Sequence, residues 1–180
     1  MVFGVNYYWV EGKCEQKFVQ SSSLLGRADI VDLSELNENK VRKKILKLEG
    51  SKKNVWINII FDTDVLIENT AKLNCFIRNL EFLKKQGFNL RLLQQHFDFE
   101  DEIMHCNGIN INQFYTTFNV RNKTEFKSNM ISEKMMYEKI CRLIRDFTIW
   151  NSLLISHLDK FEKSKCNFTK LPKKPLKKIN

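Results

Sequence analysis

The sequence predicts an α/β protein: a mostly parallel four-stranded sheet flanked by helices, followed by a C-terminal helical extension. Three observations lead there. Runs of β-forming residues recur four times before residue 95, and segments with helical apolar spacing separate them. The first run is apolar almost throughout, as in a strand buried on both faces. Strand and helix alternate through short connections, the signature of a parallel sheet with helices on both sides.

Residues 2–10 form the first predicted strand, and Gly12 follows at a sharp turn. From Cys14 to about Leu25, the residues Phe18, Val19, Leu24 and Leu25 outline one helical face, weakened by Ser21-Ser22-Ser23 and stopped at Gly26. Residues 28–33 read as a short second strand. Ser34 or Asn37 then caps a helix over 38–49, where Val41, Ile45 and Leu48 recur at helical spacing and the basic residues face elsewhere. Gly50-Ser51 ends it.

The third strand, 54–61, delivers Asp62-Thr63-Asp64. A helix over 65–86 follows, with Leu66, Leu73, Phe76, Ile77, Leu80 and Leu83 as its stripe, and then a fourth strand over 88–94. Residues 111–125 show no clear period. Helices at about 131–147 and 149–163 are expected to pack on the sheet and complete the same domain. The predicted organisation is one domain over 1–163, with its α/β core at about 3–105, and a basic flexible tail over 164–180.

Composition narrows the function classes. A chain of 180 residues with formal charge +9 and pI near 9.3 favours a nucleic acid or an anionic membrane surface as partner, with solubility or a lysine-rich bias as the plainer explanation. Part of the excess is local, since eight Lys lie between Lys160 and the end. The five Cys are scattered without a C-x-x-C pair, which fits reduced thiols in the cytoplasm rather than a disulfide framework or a zinc site. No stretch has the roughly 18–20 apolar residues of a membrane span, so no membrane partner is expected, and nothing at the N-terminus reads as a targeting segment. A homo-oligomeric state is left open by the sequence.

Acidic residues stand where two of the strand runs stop: Glu11 in YYWVEGK, and Asp62 with Asp64 in NVWINIIFDTDV. The carboxyl ends of parallel strands are where α/β sheets place their ligands. Three carboxylates converging there repel one another unless a hard divalent cation sits between them, and the expected ion is Mg²⁺ with Mn²⁺ as a substitute.

A strand ending in VEGKCEQKFV, followed some fifty residues later by a strand ending in FDTDV, resembles the Toprim domain of topoisomerases, primases and OLD-type and RloB-type nucleases. The family pattern of Glu-Gly after the first strand and Asp-x-Asp after the third is matched by Glu11-Gly12 and Asp62-Thr63-Asp64, over roughly residues 3–105. The resemblance implies a Toprim-like fold and a Mg²⁺-dependent nuclease, with Glu11, Asp62, Asp64 and Glu15 as catalytic residues. Glu15 matches an acidic position three residues after the Gly of the first motif.

The topoisomerase and primase extension Asp-x-Asp-x-x-Gly is missing, and the chain reads DTDVLIE instead. The Phe-Glu after the fourth strand is more like the RloB-type pattern. It implies that Glu100 joins Glu11, Asp62 and Asp64 as a metal-associated carboxylate, with Asp98 and Glu102 as alternatives. Proteins of this type are effectors of anti-phage defence systems that act beside an ATPase. This chain has no phosphate-loop motif of its own, so the ATPase is expected in another subunit.

Phosphodiester cleavage in DNA or RNA is the chemistry such a cluster performs. Lys13, Lys127 and Lys134 are candidates for contacting phosphate. Each residue also has a plainer role: Glu11 as a solvated acid, Asp62 and Asp64 as helix caps, Glu100 as a first-turn helix acid. His96, Cys14, Cys106 and the tryptophans Trp9, Trp56 and Trp150 are expected to be structural. The competing expectation is a non-catalytic Toprim-like subunit that binds nucleic acid or an ATPase.

Overall fold

A computed structural model describes residues 5–22, 24–133, 135–143 and 149–166. Four parallel strands, β1 (Val5–Val10), β2 (Arg27–Ile30), β3 (Val55–Phe61) and β4 (Asn89–Gln94), form one sheet in the order β2-β1-β3-β4. The β1→β2 step runs across the sheet in the opposite direction to the two later steps. Right-handed crossovers then require its helix to lie on the opposite face.

That is the arrangement found. Helix α1 (Lys13–Ser21) packs Phe18 and Val19 on one face, while α2 (Glu38–Ile45) and α4 (Thr70–Lys85) pack Val41, Phe76 and Leu80 on the other. Alternation along the strands feeds both cores: Tyr7 and Trp9 of β1 join the α2/α4 side, Tyr8 and Val10 the α1 side. The near-continuous apolar run of β1 reflects this double burial.

The helix expected over 65–86 is divided into α3 (Asp64–Glu68) and α4. Asn69, with φ −128° and ψ 97°, leaves the helical region, and its side chain accepts the Lys72 N–H to start α4 afresh. Three further helices on the α1 side also depart from the expected pattern. Helices α5 (Phe99–Asn107) and α6 (Ile111–Phe118) are followed by α7 (Lys123–Ser132). Residues 111–125, which show no clear period, thus belong largely to α6 and α7. Their starts are set by caps: Asn110 and Gln113 form a reciprocal capping box, and Asn122 accepts the Glu125 N–H. Phe114, Phe118 and Phe126 then stack against one another at centroid distances of 4.7–5.0 Å.

The helix expected over 131–147 is corrected in the same way. It breaks at Glu133, where ψ is 126°, and resumes as α8 (Met136–Leu143). The one expected over 149–163 is irregular to Ile155 and then a 3-10 segment, Ser156–Ser164. Ile149 and Trp150 lie in the α1-side core, but Leu154, Leu158 and Phe161 lie in the other. The segment therefore wraps the β4 edge. Gln94 donates to Leu153 O and accepts the Ile155 N–H, while the Cys166 N–H bonds Leu92 O. The proposed boundary at 163 falls inside this wrapping segment, and most of the predicted tail lies outside the described residues.

Trp9 and Trp150 are core residues and Trp56 lies beneath the Arg91 guanidinium, 4.0 Å from it. No helix among the described residues is long and apolar enough to cross a membrane.

Glu102 of α5 holds the wrap in place. Fully buried, it accepts the His96 N–H at 2.8 Å, the Trp150 N–H and the Cys106 thiol at 3.1 Å. Glu102→Ala would leave buried N–H groups without their acceptor. It should destabilise the protein by about 2–5 kcal/mol in urea unfolding, whereas Glu49→Ala at the surface should be near neutral.

Candidate functional site

Strands β1 and β3 run side by side in register from Val5↔Val55 to Val10↔Ile60. Glu11 and Asp62, each one residue past its strand, are thereby neighbours at the point where the strand order reverses. This is the crevice position of a doubly wound sheet. The Asp62 backbone N–H favours the charged form of the Glu11 carboxylate. Glu11 is held up to about 8, first by desolvation and then by the charges of Asp32, Glu15 and Asp64. Asp62 is pushed up to about 9 by the same causes, burial first and then Glu11, Glu15, Asp64 and Asp98. Its Oδ1 is buried without a hydrogen-bond partner.

Glu15 joins them from the first turn of α1. It is 6% exposed, its carboxyl is pushed up chiefly by burial, and Oε2 has no hydrogen-bond partner. Gly12 makes room for it: a Cβ there would lie 2.7 Å from Glu15 Oε2. The glycine of the Glu-Gly pair thus has a steric reason in this chain, with an ordinary φ of −130°.

Glu100, fully buried in the first turn of α5, rises to about 8 through burial and the charge of Asp98. Lys127 of α7 stands 3.2 Å from its Oε2, an ion pair without hydrogen-bond geometry. The Lys127 charge also eases Glu15 and Cys14, whose thiol is pushed up to about 12 by burial and the neighbouring glutamates. Of the alternatives in this stretch, Glu102 is committed to the backbone groups described above. Asp98 caps α5 through the Asp101 N–H and pairs with Lys123 at 3.0 Å. Burial works against its charge, but that N–H and Lys123 outweigh it and hold Asp98 below the usual range.

Asp64 opens α3, its Oδ1 2.6 Å from the Val65 N–H, and faces Glu11 and Asp62 closely enough to raise both. Lys13 is exposed at the start of α1, and Lys134 lies outside the described residues. Three contributors were not singled out from the sequence. Asp32 stands just past β2 and raises Glu11, while its own carboxylate accepts the Ser34 N–H and hydroxyl. In the sequence it falls inside the strand predicted over 28–33, so the strand-end rule that found Glu11 passes over it; the observed strand stops at Ile30. Lys123 bridges Asp98 and Asp101. Thr63 is buried, donates to Gln95 O at 3.2 Å, and accepts the Phe97 N–H at 3.0 Å, so the DTD turn is tied to the loop after β4.

The carboxylates fit a cation in two respects: they share one edge with raised affinity for protons, and buried oxygens of Glu15 and Asp62 lack partners. Among the described residues, no three His, Cys, Asp or Glu side chains form a preassembled metal cage. Comparison with family models, with curated proteins and with solved structures finds no match.

The buried acids make stability depend on pH. Glu11 and Asp62 lose their protons at ordinary values of 4.5 and 3.8 in the unfolded chain, but at about 8 and about 9 when folded. Between these limits the folded chain binds more protons, so this contribution is complete at the acid end and lost as pH rises to about 9. In chelating buffer, wild-type Tm should fall from about pH 5 to about pH 9. Asp62→Asn should melt higher than wild type at the alkaline end and fall less, by roughly 2–4 °C for each kcal/mol of repulsion relieved.

Proposed function

We propose that this chain is a Mg²⁺-dependent nuclease of the Toprim type that cleaves phosphodiester bonds in DNA or RNA. The observation that carries the reading is the gathering of Glu11, Glu15 and Asp62 at one carboxyl edge, with Glu100 on α5 beside Asp98 and Lys127; all four have raised proton affinities, and buried oxygens of Glu15, Asp62 and Glu100 lack hydrogen-bond partners. Burying several acids together is costly unless a cation or protons neutralise them. A structural role explains Glu102, whose oxygens are engaged, but does not explain Asp62 Oδ1 or Glu15 Oε2.

In this reading Glu11, Asp62 and Asp64 hold the metal, and Glu100 contributes once Lys127 moves aside. When bound, the cation supplies polarisation of a phosphate and a more acidic water. Glu15, enclosed next to Glu11 and Asp62, holds or accepts a proton beside the reacting group. Lys127, at the mouth of the cluster with half its side chain exposed, meets a phosphate oxygen. Service as an anti-phage effector beside an ATPase subunit extends the proposal and rests on the motif resemblance alone. The second reading, a non-catalytic binding subunit, draws on the Glu100–Lys127 pair, which neutralises one acid without metal.

Incubation with plasmid DNA, single-stranded DNA and tRNA in Mg²⁺ or Mn²⁺ tests the proposal. Cleavage should appear for wild type and drop about 10²–10⁴-fold in Glu11→Gln and Asp62→Asn; equal cleavage by all three proteins would sink it. Gly12→Ala, which displaces the Glu15 carboxylate, should slow cleavage by up to about 100-fold with little change in Tm. Millimolar Mg²⁺ should raise wild-type Tm by mass action but leave Asp62→Asn unmoved. The absence of any metal effect on wild type favours the binding subunit.

A further inference from the structure

Phe97 stands in the left-handed region, with φ 60°. A bulky residue stays there only where its surroundings hold it. The other non-glycine residues with positive φ among the described residues have evident reasons. Asn119 closes α6 as its C-cap, and Trp150 is 1% exposed in the core with its N–H on Glu102. Phe97 is different: it is 47% exposed, so burial does not account for its conformation.

What holds it is the acid site. The Phe97 N–H donates to Thr63 Oγ1 at 3.0 Å, and the Thr63 N–H donates to Phe97 O at 2.8 Å. Thr63 is the residue between Asp62 and Asp64, so the DTD turn itself clamps the strained residue. The ring meets its neighbour His96 edge-on at 4.7 Å, and His96 stacks on the exposed His105 at 4.2 Å with an interplanar angle of 15°. A short ladder of aromatic rings therefore ends in Phe97 at the rim of the carboxylate cluster.

We propose that Phe97 is a base-stacking residue that receives an unpaired nucleobase next to the phosphodiester at the acid cluster. The substrate class is then single-stranded nucleic acid. The inference rests on the nuclease reading above. A base inside a duplex has both faces covered by its neighbours, whereas an unpaired base offers a face to a protein ring. The chain as a whole, at formal charge +9, favours a polyanionic partner, and at this edge Lys127 offers a half-exposed cation to a phosphate. Stacking tolerates any base, so Phe97 selects strandedness and not sequence.

Fluorescence anisotropy with labelled single-stranded DNA, single-stranded RNA and a blunt duplex of the same sequence, in EDTA so that no cleavage competes, tests this. Wild type should bind a single strand more tightly than the duplex. Phe97→Gly should weaken single-strand binding roughly 5–150-fold, while Phe97→Tyr stays close to wild type. Phe97→Gly should also raise Tm by about 2–4 °C through release of the left-handed strain, so that binding and stability move in opposite directions. Single-strand binding by Phe97→Gly equal to wild type would overturn the proposal and leave the nuclease reading standing. Full retention by Phe97→Leu would equally overturn it, since an apolar side chain without a ring would then serve as well and stacking would not be the interaction. Wild type that binds none of the three oligonucleotides in EDTA would overturn the stacking proposal, while the cleavage assay in Mg²⁺ or Mn²⁺ decides the nuclease reading separately.

Discussion

The pairing of β1 with β3 is the constraint on which the rest of the molecule depends. Six consecutive residues of β1 lie opposite six of β3, and both strands are buried through their length at their carboxyl halves. Because the side-chain period of a strand is two, a one-residue slip would send every core residue of a strand to the other face. Two separate hydrophobic cores fix the register from above and below. With the register fixed, Glu11 and Asp62 have no choice but to stand together, and the repulsion between them becomes a property of the fold. The Asp62 N–H on the Glu11 carboxylate offsets only part of it. The remainder is what gives this edge an affinity for protons or cations.

Helix α5 shows how local chemistry separates structure from site. Glu100 and Glu102 are two residues apart and both fully buried. Positions i and i+2 on a helix point to different sides. Glu102 turns toward backbone N–H groups from two distant segments and acts as a fastening. Glu100 turns toward Lys127 and the other acids, and neither oxygen is hydrogen-bonded. Burial alone therefore does not identify a functional acid; the state of its oxygens does.

The sheet was legible in the sequence because β-forming runs alternate with helical spacing, and β1 and β3 in particular are apolar runs ended by an acid. The positions of Glu11, Asp62 and Asp64 followed from the same signal. Helices α6 and α7 were not legible. They are short, and their boundaries depend on Asn caps at 110 and 122, not on a sustained period. The irregular and 3-10 stretch that replaces a predicted helix carries Leu154, Leu158 and Phe161 at spacings that an α-helix would share. Asp32 did not stand out because it lies within the run read as a strand over 28–33, whereas β2 ends at Ile30 and leaves it two residues beyond the strand. The strain at Phe97 and the clamp by Thr63 could not have been read at all, since they depend on contacts between residues about thirty positions apart in the chain.

The wrapping of residues 153–166 around β4 has a consequence for how the chain is made. During synthesis the four strands emerge long before the residues that bond Gln94 and Leu92, so β4 is for a time a bare edge. A bare edge is a template for other strands, and parallel sheets assembled from distant segments fold slowly. Closure of that edge by Leu153, Ile155 and Cys166 makes the emergence of this segment the event that ends its exposure. Truncation before residue 150 would then produce a protein that aggregates through its sheet, even with every strand and the entire carboxylate edge present.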